Sequence, residues 1–443
     1  MPRPIVIIHG WSDSSASFRR LAGILAHELD RDVATIDLAD YNSMDDEVTF
    51  ADIRAGMDRA WTDVGLPRTP RSVDVVVHST GGLVIRDWMT THFKPDTNPV
   101  HNLVMLAPAN FGSPLAHKGH AFMGRVVKGW NSRKRFQTGK RVLKGLELAS
   151  PFSWELAMRD RFGSQTWYDA GHCHATVIVG NTGYSGIAAA ANEPGTDGTV
   201  RVSTAALDGL FIEADFQSDP QTPSFKTTAS KGRTGLAVMA GENHGTVTFK
   251  GKDPRNDEVL KTLLAGLEVD DAGYDGWCDE LDAFTEAVML VEAPQDNDQH
   301  GFQNTVFHVV DDQGAHVPDY FIEFYVEDGD RGIFERWFHE DVIETVHAYG
   351  DDKSYRSMLI DCTVLHTQVD KQHEGMRMSL SAVPDFSENK VVGYESFGNK
   401  DIGGLRLDQG RLKKVFRQNR TVLIRVTLKR MQDPSVFRIR PAS

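Results

Sequence analysis

The sequence predicts a doubly wound α/β domain with a mostly parallel sheet, broken by one long insertion and followed by an all-β, sandwich-like domain. Three observations carry this expectation. Short β-branched runs alternate with helix-like stretches through the first 250 residues. The alternation stops between about 112 and 172, and beyond 300 the hydrophobic period changes to two.

Each part can be justified in chain order. The runs Ile5–Ile8, Val33–Ile36, Val73–Val77, Leu103–Leu106, Thr176–Val179 and Leu236–Met239 are short and largely apolar. Such runs suit strands covered on both faces, as in a parallel sheet between helices. Between them lie helical patterns at Ser15–Leu29, Phe50–Val64 and Gly82–Thr91. The stretch 112–172 carries no strand signal, and an insertion of that length between sheet strands is expected to form a cap or lid. A helix at Asp257–Leu267 closes a first domain spanning 1–268. Residues 269–300 read as a helical and acidic linker. In 301–443, Val306–Val310, Tyr320–Val326 and Met358–Leu365 read as strands, and Met376–Val383 and Val422–Lys429 alternate with period two.

Length and composition fit this plan. A chain of 443 residues that is 40% hydrophobic and 25% charged can bury two cores and is not disordered. Its formal charge of −14 repels phosphate backbones, so no nucleic-acid partner is expected. Cys173, Cys278 and Cys362 stand far apart, which argues against a disulfide framework and fits a reducing compartment. The chain enters an apolar run at Ile5, leaving no room for a signal peptide, and no apolar stretch approaches the ~20 residues of a membrane helix. A cytoplasmic protein is expected, with export lacking a cleaved peptide as the alternative.

The sharpest chemical signal is Val73-Asp-Val-Val-Val-His-Ser79-Thr-Gly-Gly82, a β-branched strand running into small residues and then a helical pattern. This is the context of a nucleophile elbow, where a serine hydroxyl projects above the sheet from a sharp strand-to-helix turn. Pro4-Ile-Val-Ile-Ile-His9-Gly10-Trp11 is a second strand ending in His-Gly, 70 positions earlier. Gly195-Thr-Asp197-Gly-Thr-Val and Gly241-Glu-Asn-His244-Gly follow two later strands, where α/β sheets gather their active sites.

Together these four motifs, within about residues 1–250, resemble the bacterial lipase and esterase branch of the α/β-hydrolase superfamily. The chain departs from the family's Gly-x-Ser-x-Gly elbow by carrying Val77 in place of the first glycine. The resemblance implies a carboxylic-ester hydrolase with Ser79 as nucleophile, His244 as base and Asp197 as the acid that orients it. The backbone N–H groups of Trp11 and Thr80 would form the oxyanion hole, where one donor is worth about 3 kcal/mol. Ala107-Pro-Ala-Asn-Phe111-Gly-Ser-Pro114 also resembles lipases.

Residues 118–144 hold nine Lys or Arg and no acid, an inversion of the chain's overall charge. Phe122, Met123 and Trp130 interleave with them. A basic lid meeting anionic lipid is expected, with Phe111, Phe122, Met123 and Trp130 as lipid contacts. The bland alternative is a solvated basic face. Substrates are expected to be long-chain acyl esters or phospholipids. No cofactor is implied. His172-Cys-His174, even with His117 and His120, matches no zinc spacing, so no metal site is expected. Two further readings stay open: an acyltransferase with the same triad, and a lipase-type toxic effector whose β domain docks a partner that the sequence does not identify.

Overall fold

The computed structural model describes residues 2–10, 15–36, 46–116, 139–217, 223–250, 254–290, 300–325, 331–372, 375–386, 391–394 and 405–436. The chain divides into two compact units. The first comprises Met1–Gly209, Ser230–His300 and Asn419–Thr421; the second comprises Leu210–Ala229, Gly301–Gln418 and Val422–Ser443.

The first unit is built on a six-stranded sheet. Its strands are β1 (Ile5–Ile8), β2 (Val33–Ile36), β3 (Val73–His78), β4 (Val100–Leu106) and β5 (His174–Gly180). The chain then forms a hairpin, β6 (Gly209–Asp215) and β7 (Ser224–Ala229), before returning as β8 (Gly235–Met239). The sheet order is β2-β1-β3-β4-β5-β8, parallel throughout. Every residue of β1, β3, β4 and β5 is buried, which is why these segments are mostly apolar. Each fully buried valine or isoleucine there contributes about 1.5–3 kcal/mol. The expected doubly wound α/β fold is therefore present.

Two features differ from the sequence expectation. The hairpin β6–β7 belongs to the second unit's sheet, although it lies inside the range read as the first domain. The helix expected within the 269–300 linker spans Tyr274–Leu290 and, rather than bridging two domains, packs on the first core through Leu281. Its Thr285 hydroxyl donates to the Leu236 carbonyl and accepts from the Val238 N–H, so the helix satisfies the edge strand β8. Acidic residues on the solvent side of this helix disguise a buried stripe.

The second unit contains β9 (Phe302–Asp311), β10 (Tyr320–Tyr325), β11 (Ile343–Ala348), β12 (Tyr355–Asp361), β13 (Gly375–Ala382), β14 (Val392–Tyr394), β15 (Leu405–Asp408), β16 (Arg420–Leu428) and β17 (Arg430–Gln432). A six-stranded sheet runs β11-β12-β9-β16-β6-β7, beside smaller sheets β10-β13-β15 and β14-β17. The C-terminal part is β-rich, as expected, but also carries the helices Arg331–Trp337, Cys362–Gln372 and Gln409–Val415. Its own core gathers Phe307, Val309, Phe324, Phe338, Ile360 and Val426. Among the described residues no helix is long and apolar enough to cross a membrane.

Candidate active site

Ser79 stands directly between β3 and the helix Gly81–His92. Its φ is +54°, a left-handed conformation that a non-glycine residue adopts at a cost of about 1–3 kcal/mol. Strain of this kind is what a sharp strand-to-helix turn requires. The turn fits because its neighbours are small. A Cβ on Gly81 would lie 2.9 Å from the Ile8 carbonyl oxygen, and one on Gly82 would lie 2.8 Å from Pro108 Cβ. The Cβ of Val77 would stand 3.4 Å from that same Gly81 Cβ.

His244 follows β8 in a short loop, and its Nε2 lies 3.2 Å from Ser79 Oγ. Its Nδ1 lies 3.1 Å from Asp197 Oδ2. Asp197 is fully buried, and its other oxygen accepts N–H bonds from Thr199 (2.9 Å) and Val200 (2.8 Å). A second tie runs from the His244 N–H to the Asp197 carbonyl, 2.9 Å. A carboxylate can only accept, so His244 donates from Nδ1 and turns the Nε2 lone pair toward the Ser79 hydroxyl. Ser79, His244 and Asp197 form a linked donor–acceptor chain across 165 and 47 positions of sequence.

Thr80 is buried and is the N-cap of the helix Gly81–His92, so its N–H lies outside that helix's hydrogen-bond ladder. Trp11, the other expected oxyanion donor, lies outside the described residues, as do Phe122, Met123, Trp130, His117 and His120.

Phe111 corrects the sequence expectation. Instead of facing lipid it is 2% exposed, with the Arg86 guanidinium 5.7 Å from its ring centre and its N–H donating to the Thr204 carbonyl. The buried Arg86–Asp160 ion pair (Nε to Oδ2, 2.7 Å) draws this segment inward. The described part of the expected lid, the helices Lys140–Leu146 and Pro151–Asp160, buries Leu143, Leu146, Trp154 and Leu156. Of the basic segment, Arg141 pairs with Glu47 (2.8 Å) and Lys144 with Glu147 (3.6 Å).

His78 was not among the site residues expected from the sequence. It is buried, its Nε2 lies 3.2 Å from the His244 carbonyl oxygen, and the two rings are 4.7 Å apart. A polar side chain at the end of β3, next to Ser79, was the available signal. Among the described residues, the group of His, Cys, Asp or Glu side chains close enough to share a metal is His101, His174 and Asp271, at the opposite end of the sheet.

A family model described as the alpha/beta hydrolase family matches residues 5–249. The chain belongs to that family. The match ends just beyond His244 and so covers the whole of the parallel sheet. No curated relative matches this hydrolase-family chain in sequence. Among solved structures, phospholipase PlaB from Legionella pneumophila is similar with a TM-score of 0.81 and 22% identity, covering 99% of this chain and 96% of that one. The same protein in complex with thio-NAD gives 0.80 and 23%, with the same coverage. At this identity the likeness is one of fold, and it extends through the β-rich C-terminal part.

Proposed function

We propose that this chain hydrolyses carboxylic esters of lipids through an acyl-enzyme formed on Ser79. The observation that carries the proposal is the continuous hydrogen-bond chain from Ser79 through His244 to buried Asp197. In the first half-reaction the Ser79 oxygen attacks the acyl carbonyl carbon while its proton passes to His244 Nε2. Asp197 holds the imidazole tautomer and stabilises the imidazolium. The proton then goes to the departing alcohol oxygen as the ester bond breaks. Water, deprotonated by His244, releases the acid in the second half. The Thr80 N–H, at a helix start, supplies one oxyanion donor, with Trp11 carried over from the family pattern as the other.

A phospholipid substrate draws support from the structural relative being a phospholipase and from the basic segment 118–144. The test is a fluorophosphonate label followed by peptide mapping, with turnover measured on a series of p-nitrophenyl esters and on phospholipid vesicles. Modification at Ser79 and loss of turnover in Ser79→Ala, by about 10⁴-fold or more, is expected. Wild-type turnover by Ser79→Ala would overturn the proposal. Preference for short soluble esters over vesicles would remove its lipid part.

A further inference from the structure

A second polar cluster lies at the N-terminal ends of β3, β4 and β5, across the sheet from Ser79. His101 and His174 come from β4 and β5, and Asp271 from the turn before the helix Tyr274–Leu290. Both histidines are buried, and each of the three residues offers an atom within 4.8 Å of the others.

The protons of this cluster can be assigned from its surroundings. Asn102 donates from Nδ2 to the carbonyls of Leu267 (2.8 Å) and Val269 (3.2 Å). Its Oδ1 is therefore the atom that faces His174 Nδ1 at 2.9 Å, and that nitrogen must carry a proton. In its neutral form His174 presents a lone pair from Nε2, 2.8 Å from Asp271 Oδ1; in its protonated form it donates to that oxygen. His101 Nε2 stands 3.0 Å from Arg71 Nη2, which can only donate, so it too presents a lone pair. The Nδ1 of His101 faces the buried Asp74 carboxylate at 3.6 Å.

Two imidazole lone pairs and a carboxylate thus converge on one point. The outer nitrogen of His174 is backed by the Asn102 amide oxygen, as in sites where such partners orient metal-binding histidines, whereas that of His101 faces Asp74 at 3.6 Å without a hydrogen bond. The nitrogen that stands at the point of convergence is Arg71 Nη2, 3.3 Å from His174 Nε2 and also bonded to Asp271. Arg71 also donates from Nη1 to Asp271 Oδ2 (2.8 Å) and the Gly171 N–H donates to Asp271 Oδ1 (2.7 Å), while the two protons of Nη2 are shared among three acceptors. A compact dication satisfies all three.

We propose that His101, His174 and Asp271 bind a divalent transition metal of the zinc class, for which the Arg71 guanidinium is the stand-in. Zinc accepts two imidazoles and a carboxylate and completes its tetrahedron with water, which half-exposed Asp271 admits. Arg71, itself partly exposed, turns outward as the metal enters. The ion ties the turn carrying Asp271, and with it the start of the helix Tyr274–Leu290, to the ends of β4 and β5. Its role is structural and independent of the ester chemistry.

The test is a titration of untagged full-length protein with Co²⁺, read by visible absorption and competed with Zn²⁺, in wild type, Arg71→Ala and Asp271→Asn. The expected result is a single saturable ion per chain in wild type. Binding should tighten about tenfold or more when the competing cation is removed in Arg71→Ala, and weaken about tenfold or more in Asp271→Asn. Zn²⁺ should raise the unfolding temperature of the first two and not the third. If the cluster is only an ion-pair network, Arg71→Ala loses stability and Zn²⁺ restores none of it. That result, absence of saturable binding by wild type, or unchanged affinity in Asp271→Asn would each overturn the proposal.

Discussion

The Nε2 of His78 lies 3.2 Å from the carbonyl oxygen of His244, so the residue preceding Ser79 holds the loop that carries the partner imidazole. Both side chains are buried, and their rings stand 4.7 Å apart. One bond therefore links the two ends of the Ser79–His244 contact independently of Asp197.

Removing that bond while keeping a ring should loosen His244 relative to Ser79. In His78→Phe, kcat for ester hydrolysis is expected to fall about ten- to hundredfold, matching the roughly 1–3 kcal/mol of a lost buried hydrogen bond. KM should stay near its wild-type value. His78→Gln, whose amide can still donate, should recover part of the loss. Steady-state kinetics on one soluble ester separates this from a substrate-binding role, which would move KM and spare kcat.

Asp197 fixes the His244 tautomer from a fully buried position. Asparagine there keeps the shape but offers an NH₂ group that can oppose the Nδ1 proton. Turnover in Asp197→Asn is expected to drop by about 10⁴-fold. Retention of Ser79 labelling at the wild-type rate would contradict this, since the nucleophile would then not need its oriented base.

Gly10 approaches the elbow so closely that an added Cβ would sit 2.8 Å from Ser79 Cβ. Gly10→Ala must push the turn away from β1. A loss of about 1–3 kcal/mol in stability is expected, as in overpacked cores, together with reduced turnover. Denaturant unfolding and ester kinetics on the same preparation check both. Unchanged values in both would mean that the turn yields freely.

His308 in the second unit stacks on Tyr355, with ring centres 3.8 Å apart. Burial, then the nearby Arg425 and His316 charges, pushes its imidazole down to about 3, whereas an unfolded histidine titrates near ~6.5. The folded state thus binds fewer protons than the unfolded state between those values. Its stability contribution is full above about pH 6.5 and is lost as pH falls toward about 3, by at most about 5 kcal/mol. The difference in unfolding temperature between wild type and His308→Phe, followed across that range, should move steadily in the variant's favour on acidification. A pH-independent difference would refute the assignment.

Much of the fold was legible because the sheet of the first unit is parallel and buried on both faces. Such strands are apolar at most positions, so β1, β3 and β5 stand out from their surroundings without tertiary information. Small residues at Gly81 and Gly82 were legible for a similar reason, since backbone contact there excludes a side chain. Phe111 was misassigned because an aromatic beside a basic stretch looks the same whether it meets lipid or an internal arginine. Only the position of Arg86 separates the two.

What the sequence determined by itself was the α/β class, the positions of the six parallel strands along the chain and the local settings of Ser79, Asp197 and His244, all of which rest on patterns within a few residues of one another. Tertiary structure alone decided that the hairpin β6–β7 joins the second unit's sheet, that the acidic segment after 269 contributes a core helix, and that His101, His174 and Asp271 meet around Arg71. The physical reason is range. Periodicity and turn chemistry act between neighbours in the chain, whereas strand partners and convergent side chains are chosen by contacts that close loops of many tens of residues.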